Sequence, residues 1–390
     1  MESELKSLNS HDSDPSITTL PLLKHEDSPA SQDHQLINLK DIEKKCAAYV
    51  RHDVYGTLGR EHVPFGEKVM LGLAMITILP FRVVLSMVIL VFYYVVCRVC
   101  TLFSRPNGKD CEQQDFAHMG GWRQAVVVRS GCFLARVLLF LFGFYWIRET
   151  FNEVRSGGEE KDEKSDEAEH NDQSSEPERP GVIVSNHVSY VDILYHMSAS
   201  YPSFVAKRSV GKLPLLGLIS KCLGCIYVQR ESKSSDFKGV SGVILERVQE
   251  AHQNKSAPII MLFPEGTTTN GDYLLPFKSG AFLPKAPVLP VILKYPHQRF
   301  SPAWDSISGV RHVILLLCQF VNHLEVIRLP VYCPSQQEKD DPKLYANNVR
   351  KLMAHEGNLK MVDIGLAEKR EYHAALNGNS LPNELHQKDE

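Results

Sequence analysis

Hydrophobic positions along the chain fall into two kinds of segment. Between Val69 and Cys97 lie two uncharged runs, VMLGLAMITILPF (69–81) and VVLSMVILVFYYVVC (83–97), which meet at Arg82 and close at Arg98. Each is shorter than the roughly 20 residues of a straight spanning helix. One continuous span would hold Arg82 at mid-membrane, at about 2.5–3.5 kcal/mol. A hairpin bent at Pro80-Phe81-Arg82 avoids that cost. Residues 66–103 are therefore expected to form a membrane helical hairpin, dipping into one leaflet or crossing twice; a pair of buried helices in a soluble core is the alternative. In Ala125–Ile147, Arg129 and Arg136 are seven apart and share a helix face, with Phe133, Leu134, Val137, Leu138 and Leu141 on the apolar side. This predicts an interfacial amphipathic helix over 120–150, with Tyr145 and Trp146 at head-group level.

From Gly181 the apolar runs become short and stop at polar loops. GVIVSN (181–186), CIYVQR (225–230), IIMLF (259–263) and VLPVIL (288–293) read as strands, and 326–332 as a late one. Helical spacing occupies 237–253 and 342–356, while 313–321 is too short to span and reads as core. The expected unit is an α/β domain over 181–360, a mixed sheet flanked by helices. No fixed-period repeat is present. Three stretches lack the apolar content to offset ordering entropy: residues 1–45, the linker 156–180 and the tail 361–390. The linker carries ten acidic and three basic residues.

Composition narrows the classes. With 43 Lys+Arg against 46 Asp+Glu in 390 residues, the formal charge of −3 excludes a nucleic-acid binder that works by bulk positive charge. Nine cysteines are too few for a disulfide scaffold. A mean hydropathy of −0.18 excludes a many-span transporter. The polar start shows no secretory signal, and the final QKDE is not a retention signal.

Four constellations carry the candidate chemistry. Asn186-His187 follows an apolar strand, with Asp192 five residues on, so the two side chains meet only across a strand-to-helix turn. There the carboxylate holds one imidazole nitrogen and leaves the other as a base; alone, the pair reads more often as a capping turn. Phe263-Pro264-Glu265-Gly266-Thr267 offers backbone N–H groups and a hydroxyl to an oxyanion or phosphate, or is an ordinary glycine turn. Gly224, Tyr227, Val228 and Arg230 form a strand with an arginine at its exit, suited to a phosphate or to a surface ion pair. Pro287 to Val291, with Pro290, reads on its own as plain core. Cys222 and Cys225 lack a second pair to complete a zinc site, and His196, His297, His312 and His323 read as structural.

In this order, over about 105 residues, the four blocks resemble the glycerolipid acyltransferase family. His187 and Asp192 match its HX4D motif, the Gly224–Arg230 block its GxxFIxR-type motif with Tyr for Phe, 263–267 its FPEGT, and 287–291 its final Pro/Val block. FVAKRSVGKLPLLG (204–217), EGTTTNG (265–271) and PFKSGAF (276–282) place the chain near the lysophosphatidylcholine and lysophosphatidylethanolamine branch. No D-x-D-x-D-G loop is present, so calcium control is not expected.

The resemblance implies direct acyl transfer from acyl-CoA to a lysophospholipid hydroxyl. His187 would be the general base and Asp192 its orienting partner. Arg230, Glu265, Gly266 and Thr267, with Lys278, would hold the glycerophosphate. Lysophosphatidylethanolamine is the expected acceptor; lysophosphatidylcholine, lysophosphatidate and glycerol 3-phosphate are alternatives, and a lipid hydrolase or a non-catalytic membrane adaptor are rivals from other classes. No bound cofactor, metal or nucleic acid is expected. The expected location is the endoplasmic reticulum membrane, with the catalytic domain facing the cytosol.

Overall fold

The computed structural model describes residues 40–59, 63–107, 114–151, 178–228 and 235–377, with side chains from 241 onward in the last of these. The acidic linker lies almost wholly outside these residues, as do most of the N-terminal tail, residues 378–390 and Arg230.

Helix α1 (Phe65–Ile76) is followed by α2 (Ile78–Cys100) and α3 (Gly121–Leu141). The last two are long and apolar enough to cross a membrane, and α2 exposes Val84, Val88 and Phe92. The break between α1 and α2 falls at Thr77, not at Pro80–Arg82 as the pattern suggested. Pro80 sits in the first turn of α2, where a missing N–H costs nothing, so it does not bend the chain there. Arg82 is buried. Its guanidinium donates to Leu317 O (2.8 Å), Gln319 O (2.5 Å) and Phe320 O (3.1 Å), and to the Tyr145 hydroxyl (3.0 Å).

The expected 120–150 helix also needs correction. It stops at Leu141; Gly143, at φ +89°, turns the chain, and residues Ile147–Phe151 form strand β1. Arg136 is turned inward, donating to Phe144 O and Tyr145 O at 3.1 Å, so of the two arginines only Arg129 is exposed.

The remaining elements are β2 (Val182–Ser185), α4 (Val191–Ser200), β3 (Ser203–Lys207), α5 (Leu216–Cys222), β4 (Ile226–Val228), α6 (Ser235–Gln253), β5 (Ile260–Leu262), β6 (Tyr273–Leu274), β7 (Val288–Lys294), α7 (Gly309–Cys318), β8 (Leu324–Arg328), α8 (Gln336–Asp340), α9 (Pro342–Gly357), β9 (Lys360–Met361) and α10 (Leu366–Leu376). Seven strands form a mixed sheet in the order β1-β8-β7-β2-β5-β3-β4, antiparallel only between β7 and β8.

Strand alternation divides the core. Ile183, Met261, Val291 and Val326 face a cluster that includes Tyr93, Cys97, Leu134 and Leu139 of α2 and α3. Val182, Val184, Ile260 and Ile292 face the other way, against Val248 of α6 and Tyr345, Val349 and Met353 of α9. The apolar helices therefore share the core on one face of the sheet, packed against α4, α5 and α7. Cys222 meets the Cys97 thiol between α5 and α2, and does not pair with Cys225.

The tail 361–390 was expected to be loose throughout, yet residues 366–376 are helical. Tyr372 of α10 is fully buried with Cys46, Tyr49 and Leu275 in a third cluster. That buried ring and a capping contact, Gly365 N to Glu368 Oε2 (2.7 Å), are among the contacts that hold a helix whose sequence is polar overall.

Candidate active site

Strand β2 delivers His187 at its carboxyl end, beside the ends of β5 and β7. The turn between β2 and α4 closes the five-residue separation. Asp192 lies in the first turn of α4, its side chain fully buried. Asp192 Oδ2 accepts from Val188 N (2.7 Å), Ser189 N (2.9 Å) and the imidazole Nδ1 of His187 (2.8 Å). It thus ties down the turn that precedes its helix and orients the histidine at once. Its other oxygen accepts from the Tyr295 hydroxyl at 2.5 Å. Tyr295 follows β7 directly, and was not singled out from the sequence.

The His187 ring stacks on Phe263, centroids 3.9 Å apart and 16° from parallel. Its side chain stays 20% exposed, and Nε2 has no hydrogen-bond partner among the described residues. With Nδ1–H committed to Asp192, Nε2 is the nitrogen left to take a proton. Asn186, fully buried, bonds both ways to the Leu293 backbone on β7, at 2.9 and 2.8 Å, and so fixes the strand end that carries His187.

Glu265 is placed differently from the expectation. It is buried, and its oxygens accept from His187 N (2.8 Å) and Leu275 N (3.0 Å). Burial pushes its carboxyl up to about 8, against the pull of those two amides. An inward-turned, buried carboxyl braces the His187 backbone and is not open to a phosphate. Gly266 and Thr267 lie half-buried beside it. Gly266 sits at φ +73°, and a Cβ there would approach Lys278 Cε to 3.0 Å. The exposed Lys278 ammonium therefore lies over this turn, held by Lys278 N donating to Pro264 O (2.9 Å).

Other motif residues are packing residues. Tyr227 is buried, with its hydroxyl 2.7 Å from Ser220 Oγ, and Val228 ends β4. Gly224, at φ +67°, passes so close to Ala117 that a Cβ would come within 2.5 Å. Pro287 accepts from Gly181 N (2.9 Å), and Pro290 pairs with Val184 in the sheet. A cavity of about 410 Å³ lies at the opposite ends of the strands, between Val127, Val128, Tyr201 and Ile259; no expected site residue lines it.

An acyltransferase family model matches residues 167–294. Over the full length of both proteins the chain is 62% identical to "Lysophospholipid acyltransferase LPEAT1" of Arabidopsis thaliana. The chain belongs to the lysophospholipid acyltransferase family. It is also 43% identical to a lysophosphatidylcholine acyltransferase of Drosophila melanogaster, over 45% of this chain and 33% of that protein. Among solved structures it is similar to the 1-acyl-sn-glycerophosphate (LPA) acyltransferase PlsC of Thermotoga maritima, with a TM-score of 0.43 and 14% identity over 74% of this chain and 98% of that one.

Proposed function

We propose that this acyltransferase moves a fatty acyl group from acyl-CoA to the free hydroxyl of lysophosphatidylethanolamine. The observation that carries the reading is the 2.8 Å contact from His187 Nδ1 to a buried, fully bonded Asp192, with Nε2 left open. His187 Nε2 removes the proton of the acceptor hydroxyl as its oxygen attacks the thioester carbonyl. The C–S bond then breaks, and the imidazolium returns the proton to the departing CoA thiolate. Asp192 keeps the proton on Nδ1 and stabilises the imidazolium. Lys278 and the Gly266–Thr267 turn receive the acceptor's phosphate, and Glu265 holds the His187 amide. Arg230, outside the described residues, is a further candidate for that phosphate by its motif position. Leu289 and Val291 face the cluster shared with α2 and α3, which favours an acyl chain arriving from the apolar side.

Both substrates are amphiphiles, and a site built on helices suited to a bilayer meets them at its surface. The 62% identity to the Arabidopsis protein supports the ethanolamine head group, and a cytosolic donor favours a site facing the cytosol on the endoplasmic reticulum membrane. The test uses membranes containing the full chain, labelled acyl-CoA and a panel of lysolipids. Phospholipid should form fastest from lysophosphatidylethanolamine. His187→Ala should lower turnover by about 10²–10⁴-fold at equal protein. Full transfer by His187→Ala would end the reading.

A further inference from the structure

Two loops hydrogen-bond to the backbone of the His187 turn. Thr269 N donates to His187 O, and Trp304 N donates to Val188 O, both at 2.9 Å. The residues beside these two donors, Thr268 and Asp305, meet at one ammonium. Lys369 Nζ of α10 donates to Thr268 O (2.8 Å) and Thr268 Oγ1 (2.9 Å), and lies 3.1 Å from Asp305 Oδ1. Thr268 Oγ1 in turn donates to Trp304 O at 2.8 Å, which closes the link between the loops.

The ammonium is buried and surrounded. His373 Nε2, from the same helix, reaches the same Asp305 oxygen at 2.8 Å, and the Tyr49 ring lies 5.2 Å from Nζ. Tyr49 also fixes the start of α10, its hydroxyl donating to Gly365 O at 2.7 Å. A buried ammonium is costly unless each donor is engaged. A helix that served only to cover Tyr49 and Leu275 would need no charge here. The three oxygens that engage this one belong to the two loops that support the catalytic turn. Residue 369 also lies well beyond the 167–294 segment that the family model matches.

We propose that Lys369 is a positioning residue of the active site, tying loops 265–271 and 301–307 together and so fixing the His187 turn from behind. This rests on His187 being the base. Small displacements of a reacting group have large kinetic costs, about 10²-fold for 1 Å.

The test measures initial rates and thermal unfolding of the full chain in detergent micelles, with both substrates varied. Lys369→Met should lower kcat about tenfold or more, with both KM values within about twofold of wild type. Lys369→Arg, whose fork also reaches several oxygens, should recover part of kcat. The double variant Lys369→Met/Asp305→Asn removes the stranded carboxylate but not the lost tie, so it should stay slow. Wild-type kcat in Lys369→Met, or full recovery in the double variant, would overturn the proposal. Should Lys369→Met not fold, Thr268→Val carries the test: it cuts the link to Trp304 and one of the three Lys369 contacts while Asp305 stays paired with the ammonium, and should still slow kcat with both KM values within about twofold of wild type. Wild-type kcat there also overturns it. An inactive His187→Ala beside an unaffected Lys369→Met sinks this proposal alone, whereas an active His187→Ala sinks the reading beneath it.

Discussion

The Tyr295 hydroxyl donates to Asp192 Oδ1 at 2.5 Å, on the oxygen that His187 does not use. Asp192 is thus bonded on both sides, by two backbone amides and the imidazole at Oδ2 and by a phenol at Oδ1. Tyr295→Phe removes one donor from a buried carboxylate while leaving the ring in place. The expected result is a fall in kcat on the order of tenfold, equivalent to about 1.4 kcal/mol, with little change in either KM. Steady-state rates with acyl-CoA and lysolipid varied separately would show it. A raised KM with normal kcat would place Tyr295 outside the proton path.

Lys278 should behave in the opposite way. Its ammonium lies over the Gly266 turn and is exposed. Lys278→Ala should raise the KM for the lysolipid about tenfold and leave the acyl-CoA KM unchanged, as expected for loss of a contact to phosphate of about 1.4 kcal/mol. Added salt should narrow the difference between the two proteins.

Arg82 tests the apolar region. It closes the carbonyls at the end of α7, Leu317 O, Gln319 O and Phe320 O, which lack helical partners. Arg82→Leu leaves them unpaired in an apolar setting, and should cost about 2–4 kcal/mol of stability. Thermal unfolding in micelles would measure it, with Arg82→Lys intermediate because an ammonium reaches fewer of these carbonyls.

Stability should also depend on pH through the buried imidazoles. Burial holds His196 and His312 at about 3, so the folded chain keeps both neutral while the unfolded chain takes up protons near 6.5. The unfolded state then binds more protons, and stability falls as pH drops from 6.5 towards 3, by about 1.4 kcal/mol per unit for each ring. Glu265, raised to about 8, acts in the opposite sense, losing stability as pH rises from 4.5 through 8. His196→Phe isolates one term, since His196 Nε2 has no partner to lose. Its unfolding temperature should fall less steeply than wild type between pH 6.5 and 4.5; parallel curves would refute the assignment.

Much of the sheet was legible as short apolar runs. The runs at 181–186, 259–263 and 288–293 became β2, β5 and β7, and 237–253 and 342–356 became α6 and α9, because a buried strand or amphipathic helix writes its period into the chain. Strands β1 and β3 were missed and β8 was shifted. β1 is an edge strand with four exposed residues of five, so it carries no apolar signal and owes its form to pairing with β8. The break at Thr77 was misplaced because a proline marks a bend only when its N–H position is needed by the helix.

The site divides along the same line. Sequence alone brought out the proposed base and its partner: His187 and Asp192 lie five residues apart, and a single strand-to-helix turn brings them together, so local order was enough. Tertiary structure decided everything that holds that turn in place. Tyr295 reaches Asp192 across 103 positions because β7 lies beside β2, and Lys369 reaches Thr268 across 101 because α10 folds back over the loop. It also decided the direction of Glu265, whose motif position suggested a ligand contact and whose burial makes it a brace. A motif fixes which groups stand near one another along the chain. Which way each points, and what stands behind it, depends on strand order and on helices packed from distant segments, and no local pattern encodes either.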